Sequence, residues 1–265
     1  DEIYNLAAQS HVRISFENPG HTLHSAGQGI LFLMETVKAL GLDATRIYQA
    51  STSELFGGRN MPECGYSESS PFIPMSPYGA AKLYAYSISR IYREAYDMFI
   101  SNGILFNHES PRRGKNFVTK KVCLGVAKCL SLPDHILYVG NLYSKRDWGH
   151  AKDYVRGMHA ILQHDVPDDF VLATGQTYTV KHMINKAFQS AGYNLNWVGS
   201  GIDECGLLDS GRCVVKIDPR YFRPLEVDSL LGDPSKARKI LNWTSQITFD
   251  ELISEMVSFE LKHVS

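Results

Sequence analysis

Along the chain, short apolar runs alternate with longer stretches of helical period. "EIYNLAA" is apolar-rich and ends in small residues, which predicts a strand over 2–6. Residues 22–40 carry Leu31, Met34, Glu35 and Lys38 at helical spacing and stop before Gly41, a good residue just past a helix end. "RIYQAST" (46–52) is β-branched and aromatic and predicts a second strand. A loop rich in Gly, Pro and Ser runs over 57–76. A helix over 77–96 follows, then a strand over 100–108 that runs into a loop, then a helix over 117–131. Strands alternating with helices of this length predict an α/β fold, a doubly wound parallel sheet with helices on both faces. Beyond about residue 135 short strands and helices mix with loops such as "GSGIDECGLLDSGRC", which predicts a smaller α+β lobe. The expected division is a first domain over 1–135 and a second over 136–265, interleaved with the first.

Composition narrows the function classes. Hydrophobic residues are 44% and charged residues 21% of 265, ordinary for a globular chain able to bury a sizeable core. A formal net charge of −1 gives no bulk pull toward nucleic acid or a membrane surface. No apolar run is long enough to span a bilayer, so the cytosol is the default compartment. The five cysteines are odd in number and never spaced Cys-x-x-Cys, which argues against a disulfide framework or a zinc site. The chain starts at Asp1 and enters a core strand at once, which reads as a piece of something longer.

In a parallel sheet of this kind a ligand lies off the carboxyl ends of the strands. Three unusual stretches fall there: Ala7–His11, Ser51–Glu54 and Asn107–Arg113. Then comes "SPYGAAK" (76–82). Ser76 suits an N-cap and Pro77 the first helical position, so Tyr78 and Lys82 stand one turn apart on one face. A nearby ammonium and a helix N-terminus both favour the phenolate, which makes Tyr78 a candidate base; a chance Tyr-x-x-x-Lys is the bland alternative. In "STSE" (51–54), Thr52 suits a hydrogen bond to a substrate hydroxyl and Glu54 a proton transfer; a capped turn with a solvated carboxylate is the alternative. "NHESPRRG" offers arginines beside glycine, suited to phosphate, or else a solvated basic loop. Arg146 in "KRDWGHAKDYV", and Arg223 with Glu226 in "YFRPLEVD", suit a diphosphate and a base edge, or else a lobe-closing ion pair. His11, His108 and His150 lack the clustering of a metal site, and no metal is expected.

"QASTSELFG", "SPYGAAKLYAY", "NGILFNHESPRRG", "FVTKK", "RDWGHAKDYV", "DFVLATG", "YFRPLEVD" and "LLGDPSKA", in this order, resemble the GDP-mannose 4,6-dehydratase family of the extended short-chain dehydrogenase/reductase superfamily. The resemblance runs from Asp1 to about residue 260. It implies a partial Rossmann-like sheet with a substrate-binding lobe, NADP as cofactor, and conversion of GDP-mannose to GDP-4-dehydro-6-deoxymannose, the first step toward GDP-fucose. Tyr78 would be the base at the sugar's 4-hydroxyl, Thr52 its hydrogen-bond partner, Lys82 the ribose holder that lowers the Tyr78 pKa, and Glu54 the base for the elimination of water. Leu6, Ala7, Ala8, Gln9, Ser10, Lys82, His108 and Arg113 would contact NADP. Asn107, Val118, Lys121, Arg146, Arg223 and Glu226 would line the GDP-mannose site. The family is a homo-oligomer, a dimer or tetramer.

The chain departs from the family pattern in two places. The strand, glycine-rich turn and helix that open family members have no counterpart near the start of this sequence; about the first 75 to 85 residues of a typical member, two or more βα units, would be missing. His21 stands where members carry a tyrosine that helps the cofactor, and His24 and Ala26 where they carry acidic residues. Two readings therefore stand side by side: a working dehydratase, or a non-catalytic remnant that binds nucleotide sugar weakly or pairs with a full-length subunit. A plain epimerase is disfavoured by Glu54, because epimerisation at carbon four needs no elimination.

Overall fold

The computed structural model describes residues 1–264. Its main sheet is four-stranded and wholly parallel, in the order β1 (Glu2–Asn5), β2 (Arg46–Ala50), β3 (Ile100–Leu105), β8 (Asp169–Leu172). Period-2 geometry sends neighbouring residues of one strand to opposite faces. On one face Ile47 and Ile100 meet Ile30, Met34 and Val37 of α3 (Gly29–Ala39) and Ala85 and Tyr92 of α4 (Pro77–Tyr96). On the other, Tyr48, Leu105, Phe170 and Leu172 meet Tyr154, Met158, Ile161 and Leu162 of α6 (Ala151–Gln163). Both faces are therefore covered, which is why every residue of β3 is buried.

The remaining elements build the second lobe and its junction with the sheet. Helix α5 (Val118–Ser131), α7 (Val180–Ser190) and α9 (Phe249–His263) pack around one core with Leu137 and Val139 of β5 (Leu137–Val139) and Val214 and Val215 of β12 (Cys213–Ile217). Strand β5 joins β12, β11 (Cys205–Leu207) and β10 (Asn196–Val198) in a mixed sheet. Shorter pairings fill the junction: β4 (Asn107–Glu109) with β7 (Trp148–His150), and β6 (Lys145–Arg146) between β9 (Tyr178–Thr179) and β13 (Ser229–Leu230). In space the two parts exchange segments. Helix α5 joins the second core, while β8, α6 and α8 (Ser235–Leu241) pack on the main sheet.

Several element bounds differ from those expected. Strand β1 ends at Asn5 and β2 at Ala50, because Ser51 and Thr52 already turn into a 3-10 segment over Ser53–Leu55 that Thr52 caps. The expected strand 100–108 is two: β3 ends at Leu105, and β4 leaves the main sheet to pair with β7. The expected helix 22–40 begins earlier and changes pitch. A helix α1 (Val12–Glu17) and a turn α2 (Pro19–Thr22) precede a π-helical stretch over Leu23–Gln28 that leads into α3. In that widened turn Gly27 lies against α4, where a Cβ would sit 3.2 Å from the Ala81 carbonyl oxygen. Among the described residues no helix is long and apolar enough to cross a membrane, no disulfide forms, and no group of three or more metal-binding side chains gathers.

Candidate functional site

The carboxyl ends of β1, β2 and β3 face the second lobe across a cleft of about 650 Å³. Helix α4 supplies two of the groups that sequence spacing singled out. Ser76 caps it, its Oγ accepting from Gly79 N at 3.0 Å, and Pro77 occupies the first turn. Tyr78 and Lys82 then fall on the buried stripe of the helix, 7% and 3% exposed. Gly79 allows this close seat, since a Cβ there would lie 2.8 Å from the Glu54 carbonyl oxygen. Thr52 and Glu54 come from the turn beneath, 8% and 7% exposed. The four groups thus share one wall of the cleft.

Their electrostatics follow from burial. The Tyr78 phenol is pushed up to about 12 by desolvation; the Thr52 hydroxyl and Arg113 pull it down, and Glu54 adds to the rise. The lowering expected from Lys82 is not what this geometry gives. Lys82 is itself pushed down to about 8 by burial, and its ammonium donates to the Ala50 carbonyl oxygen at 2.8 Å. A lysine has three donors, so two remain for other acceptors. Ser51 Oγ, Ser144 Oγ and Glu54 Oε2 are buried at the cleft and have no partner among the described residues. Such atoms are costly unless something in the cleft pairs with them.

The other expected residues divide into those at the cleft and those outside it. Leu6, Ala8 and Ser10 line it; Ala7 and Gln9 do not. Gln9 is used as a tether, its Nε2 donating to Thr22 Oγ1 at 3.1 Å, and Ala7 is exposed. Asn107, His108 and Arg113 line the cleft. His108 stacks on Tyr154 at 4.8 Å and its Nδ1–H donates to the Phe106 carbonyl at 2.9 Å; burial pushes its pKa down to about 4. Arg113 is held by Glu109 at 3.0 Å and lies 3.6 Å over the Phe117 ring.

On the facing wall Val118 and Lys121 lie on the first turn of α5, whose N-cap, Phe117, makes no side-chain cap. Its leading amides carry the positive end of the helix dipole. Lys121 sits 3.0 Å over the Tyr221 ring and is pushed down to about 8, chiefly by burial. Arg146 is 7% exposed and is pushed down to about 10 by burial and by neighbouring Arg223, while Glu54 and Glu226 oppose the shift. Arg223 Nη1 meets Glu54 Oε1 at 3.3 Å, and its backbone N donates to Glu226 Oε1 at 2.8 Å. The site therefore combines a proton-transfer wall with a wall of cations that welcomes an anion.

The family described as "GDP-mannose 4,6 dehydratase" matches residues 1–256. The chain is 52% identical over 266 residues to the GDP-mannose 4,6-dehydratase of Sinorhizobium fredii (strain HH103), covering 99% of this chain and 75% of that protein. It belongs to the GDP-mannose 4,6-dehydratase family. A Vibrio cholerae protein of the same name is 50% identical, with 99% of this chain and 73% of that one covered. Among solved structures, RMD from Pseudomonas aeruginosa complexed with NADPH superposes with a TM-score of 0.82 at 20% identity, over 99% of this chain and 82% of that chain. DesIV (dTDP-glucose 4,6-dehydratase) from Streptomyces venezuelae, solved with NAD and TYD bound, gives 0.79 at 21% identity, over 98% and 72%. At that identity the likeness shows the fold.

Sequence reasoning missed several cleft residues in this family member. His11, named there as the end of the Ala7–His11 stretch and as a poor metal candidate but given no role at the cleft, donates from Nε2 to the Asn116 carbonyl oxygen at 3.2 Å and packs on Phe117 at 5.3 Å, joining the β1 loop to the start of α5. Phe117 and Tyr221 stood inside the quoted "FVTKK" and "YFRPLEVD" without being singled out. Ser144 carried no signal, because only the three-dimensional turn before β6 brings it to the cleft.

Proposed function

We propose that this chain converts GDP-mannose to GDP-4-dehydro-6-deoxymannose and water, with NADP recycled in each turnover. The observation that carries the reading is the meeting of Thr52, Glu54, Tyr78 and Lys82 in one buried cleft faced by Arg146 and Arg223. The names of the relatives, about half identical over almost the whole chain, support the substrate. A nicotinamide cofactor is supported by fold neighbours described with NADPH or with NAD, and NADP is our choice by family resemblance. The protein side fits such a group: Lys82 has donors to spare for ribose hydroxyls, and Ser51 Oγ is buried without a partner beside it.

A nicotinamide cofactor held by Lys82 would supply a hydride acceptor, a positive charge and the source of hydride for carbon six. Tyr78, as the phenolate, takes the proton of the 4-hydroxyl; burial disfavours that phenolate, and a cofactor's positive charge would add to the opposing pull of Thr52 and Arg113. Thr52 orients the same hydroxyl. The resulting ketone acidifies the hydrogen on carbon five. Glu54 removes it, the proton held by Tyr78 passes to the hydroxyl leaving carbon six as water, and Glu54 gives its proton back to carbon five once carbon six is reduced. Arg146, Arg223 and the α5 N-terminus hold the diphosphate. We further propose a homo-oligomer, a dimer or tetramer, measurable by light scattering.

The intact proton-transfer wall favours catalysis over a binding-only remnant. The test is to incubate the purified chain with NADP or NAD and GDP-mannose and follow loss of one water by mass spectrometry. Dehydration with the unaltered chain, and a loss of about 10²–10⁴-fold in Tyr78→Phe, are the expected results. Undiminished turnover in that variant would sink the assigned base.

A further inference from the structure

We propose that Arg223 masks Glu54 in the free site and is drawn away by the incoming diphosphate, so that the elimination base is released only when a nucleotide-diphosphate sugar is seated. This rests on the reading of Glu54 as a base and Arg223 as a diphosphate ligand.

Arg223 reaches Glu54 from the other side of the cleft, on the loop between β12 and β13, and the two side chains meet at 3.3 Å. The contact uses one carboxylate oxygen; the other, Oε2, is buried and has no partner among the described residues. The Arg223 backbone is fixed separately, by its N–H to Glu226 Oε1 at 2.8 Å. The guanidinium can therefore swing without moving its loop. Arg146 is buried close by, and its depressed pKa reflects the charge of Arg223 as well as desolvation, with Glu54 opposing. Two arginines thus share an open cleft, and Glu54 is the buried anion that balances them.

A diphosphate carries more negative charge than a carboxylate and offers oxygens matched to the guanidinium fork. It is the better counter-ion for both arginines. The Glu54 contact, with Arg223 27% exposed at its side chain, is worth a few-fold in an equilibrium, weak enough for a ligand to replace. The exchange leaves Glu54 without its cation at the moment the sugar arrives. A sugar without a diphosphate leaves the pair closed. The contact therefore selects for the nucleotide part of the substrate by controlling the chemistry at its far end.

The test needs neither turnover nor cofactor. GDP binding is measured by calorimetry for the unaltered chain, Glu54→Gln, Arg223→Met and the double variant, with Glu54→Ala as a second replacement should Glu54→Gln fold poorly. Removing the Glu54 charge frees Arg223, so Glu54→Gln is expected to bind GDP about threefold more tightly. Arg223→Met is expected to bind at least about tenfold more weakly. In the Arg223→Met background, Glu54→Gln is expected to change nothing, because there is no masked arginine to release. An unchanged or weaker Glu54→Gln, beside a weakened Arg223→Met, overturns the masking and leaves the diphosphate role standing. Equal tightening in the Arg223→Met background also overturns it, since Glu54 would then act by plain repulsion. Unweakened binding by Arg223→Met, or no GDP binding by the unaltered chain, overturns the reading of Arg223 beneath it.

Discussion

At the scale of single residues, Lys82 shows how the site trades stability for chemistry. It is 3% exposed, and burial lowers its pKa from 10.5 to about 8. Below pH 8 both folded and unfolded chains carry the proton, and the full penalty of a buried ammonium is present. Between about 8 and 10.5 the folded state sheds its proton first, so stability rises with pH. That lowering corresponds to roughly 3 kcal/mol, of which about 2 kcal/mol is relieved between pH 7.5 and 9.5. Lys82→Met removes the titration. Urea unfolding at those two pH values is expected to show that the variant lacks this part of the rise; equal rises in both proteins would exclude Lys82 as its source. The pair Tyr78 and Lys82 was legible in the sequence because residue type and a four-residue spacing already define it. The direction of the Tyr78 shift was not, because it depends on how completely α4 is buried, which spacing does not report.

At the scale of elements, the first turn of α4 sets the distance between the two bases of the proposed reaction. Gly79 packs on the Glu54 carbonyl, and a methyl group there would meet that oxygen at 2.8 Å and Pro74 Cβ at 3.0 Å. Both neighbours are stiff, so Gly79→Ala must move the helix end or the turn. Alanine favours a helix over glycine by about 1 kcal/mol, which offsets much of the strain in the stability balance. Positioning has no such compensation, and a shift near 1 Å costs roughly 10²-fold in rate. The expected outcome is a melting temperature changed little, GDP affinity retained, and turnover down about 10–100-fold. Full activity would show that the Tyr78–Glu54 geometry tolerates the shift. Helix α4 was legible to its ends because a Ser-Pro cap opens it and a clean apolar stripe runs through it. Helix α1 and the π-helical stretch were not. "NPGH" reads as a breaker, and the extra residue in the widened turn shifts the apolar period. The split of 100–108 was hidden for a related reason. The apolar run passes unbroken through Phe106, and only the tertiary pairing of β4 with β7 marks the change of sheet.

At the scale of the whole molecule, the cleft depends on how the second part of the chain is fastened to the main sheet. The apolar "DFVL" of β8 reads like any buried strand, and nothing local tells it to lie beside β3. Its fastening is chemical. Asp147, fully buried between β6 and β7, accepts from Thr174 Oγ1 at 2.7 Å, Thr174 N at 2.9 Å, Gly175 N at 3.0 Å and Gly232 N at 3.5 Å. It thereby ties the end of β8 and the loop after β13 to the residue next to Arg146. Sequence reasoning saw the arginine in "RDWGH" and passed over the aspartate, because the three segments that meet there are distant along the chain. Burial raises the Asp147 pKa to about 6 despite these donors. Its folded value lies above the unfolded one of 3.8, so the charged form is a cost at pH 7 that fades as pH falls through 6. Asp147→Asn removes that cost, yet it also turns an acceptor of four hydrogen bonds into one that presents an NH₂ to backbone N–H groups. With one acceptor oxygen left, the two donors that faced the other oxygen, Gly175 N and Gly232 N, and the new NH₂ go unpaired; at about 1–3 kcal/mol each they together outweigh the roughly 3 kcal/mol that relief of the shift returns. The variant is therefore expected to lose about 2 kcal/mol in urea unfolding at pH 7, with the loss growing as the pH is lowered toward 5. GDP affinity should weaken with it, because Arg146 loses its anchored neighbour. An unchanged unfolding midpoint would mean that the lobes are held by apolar packing alone.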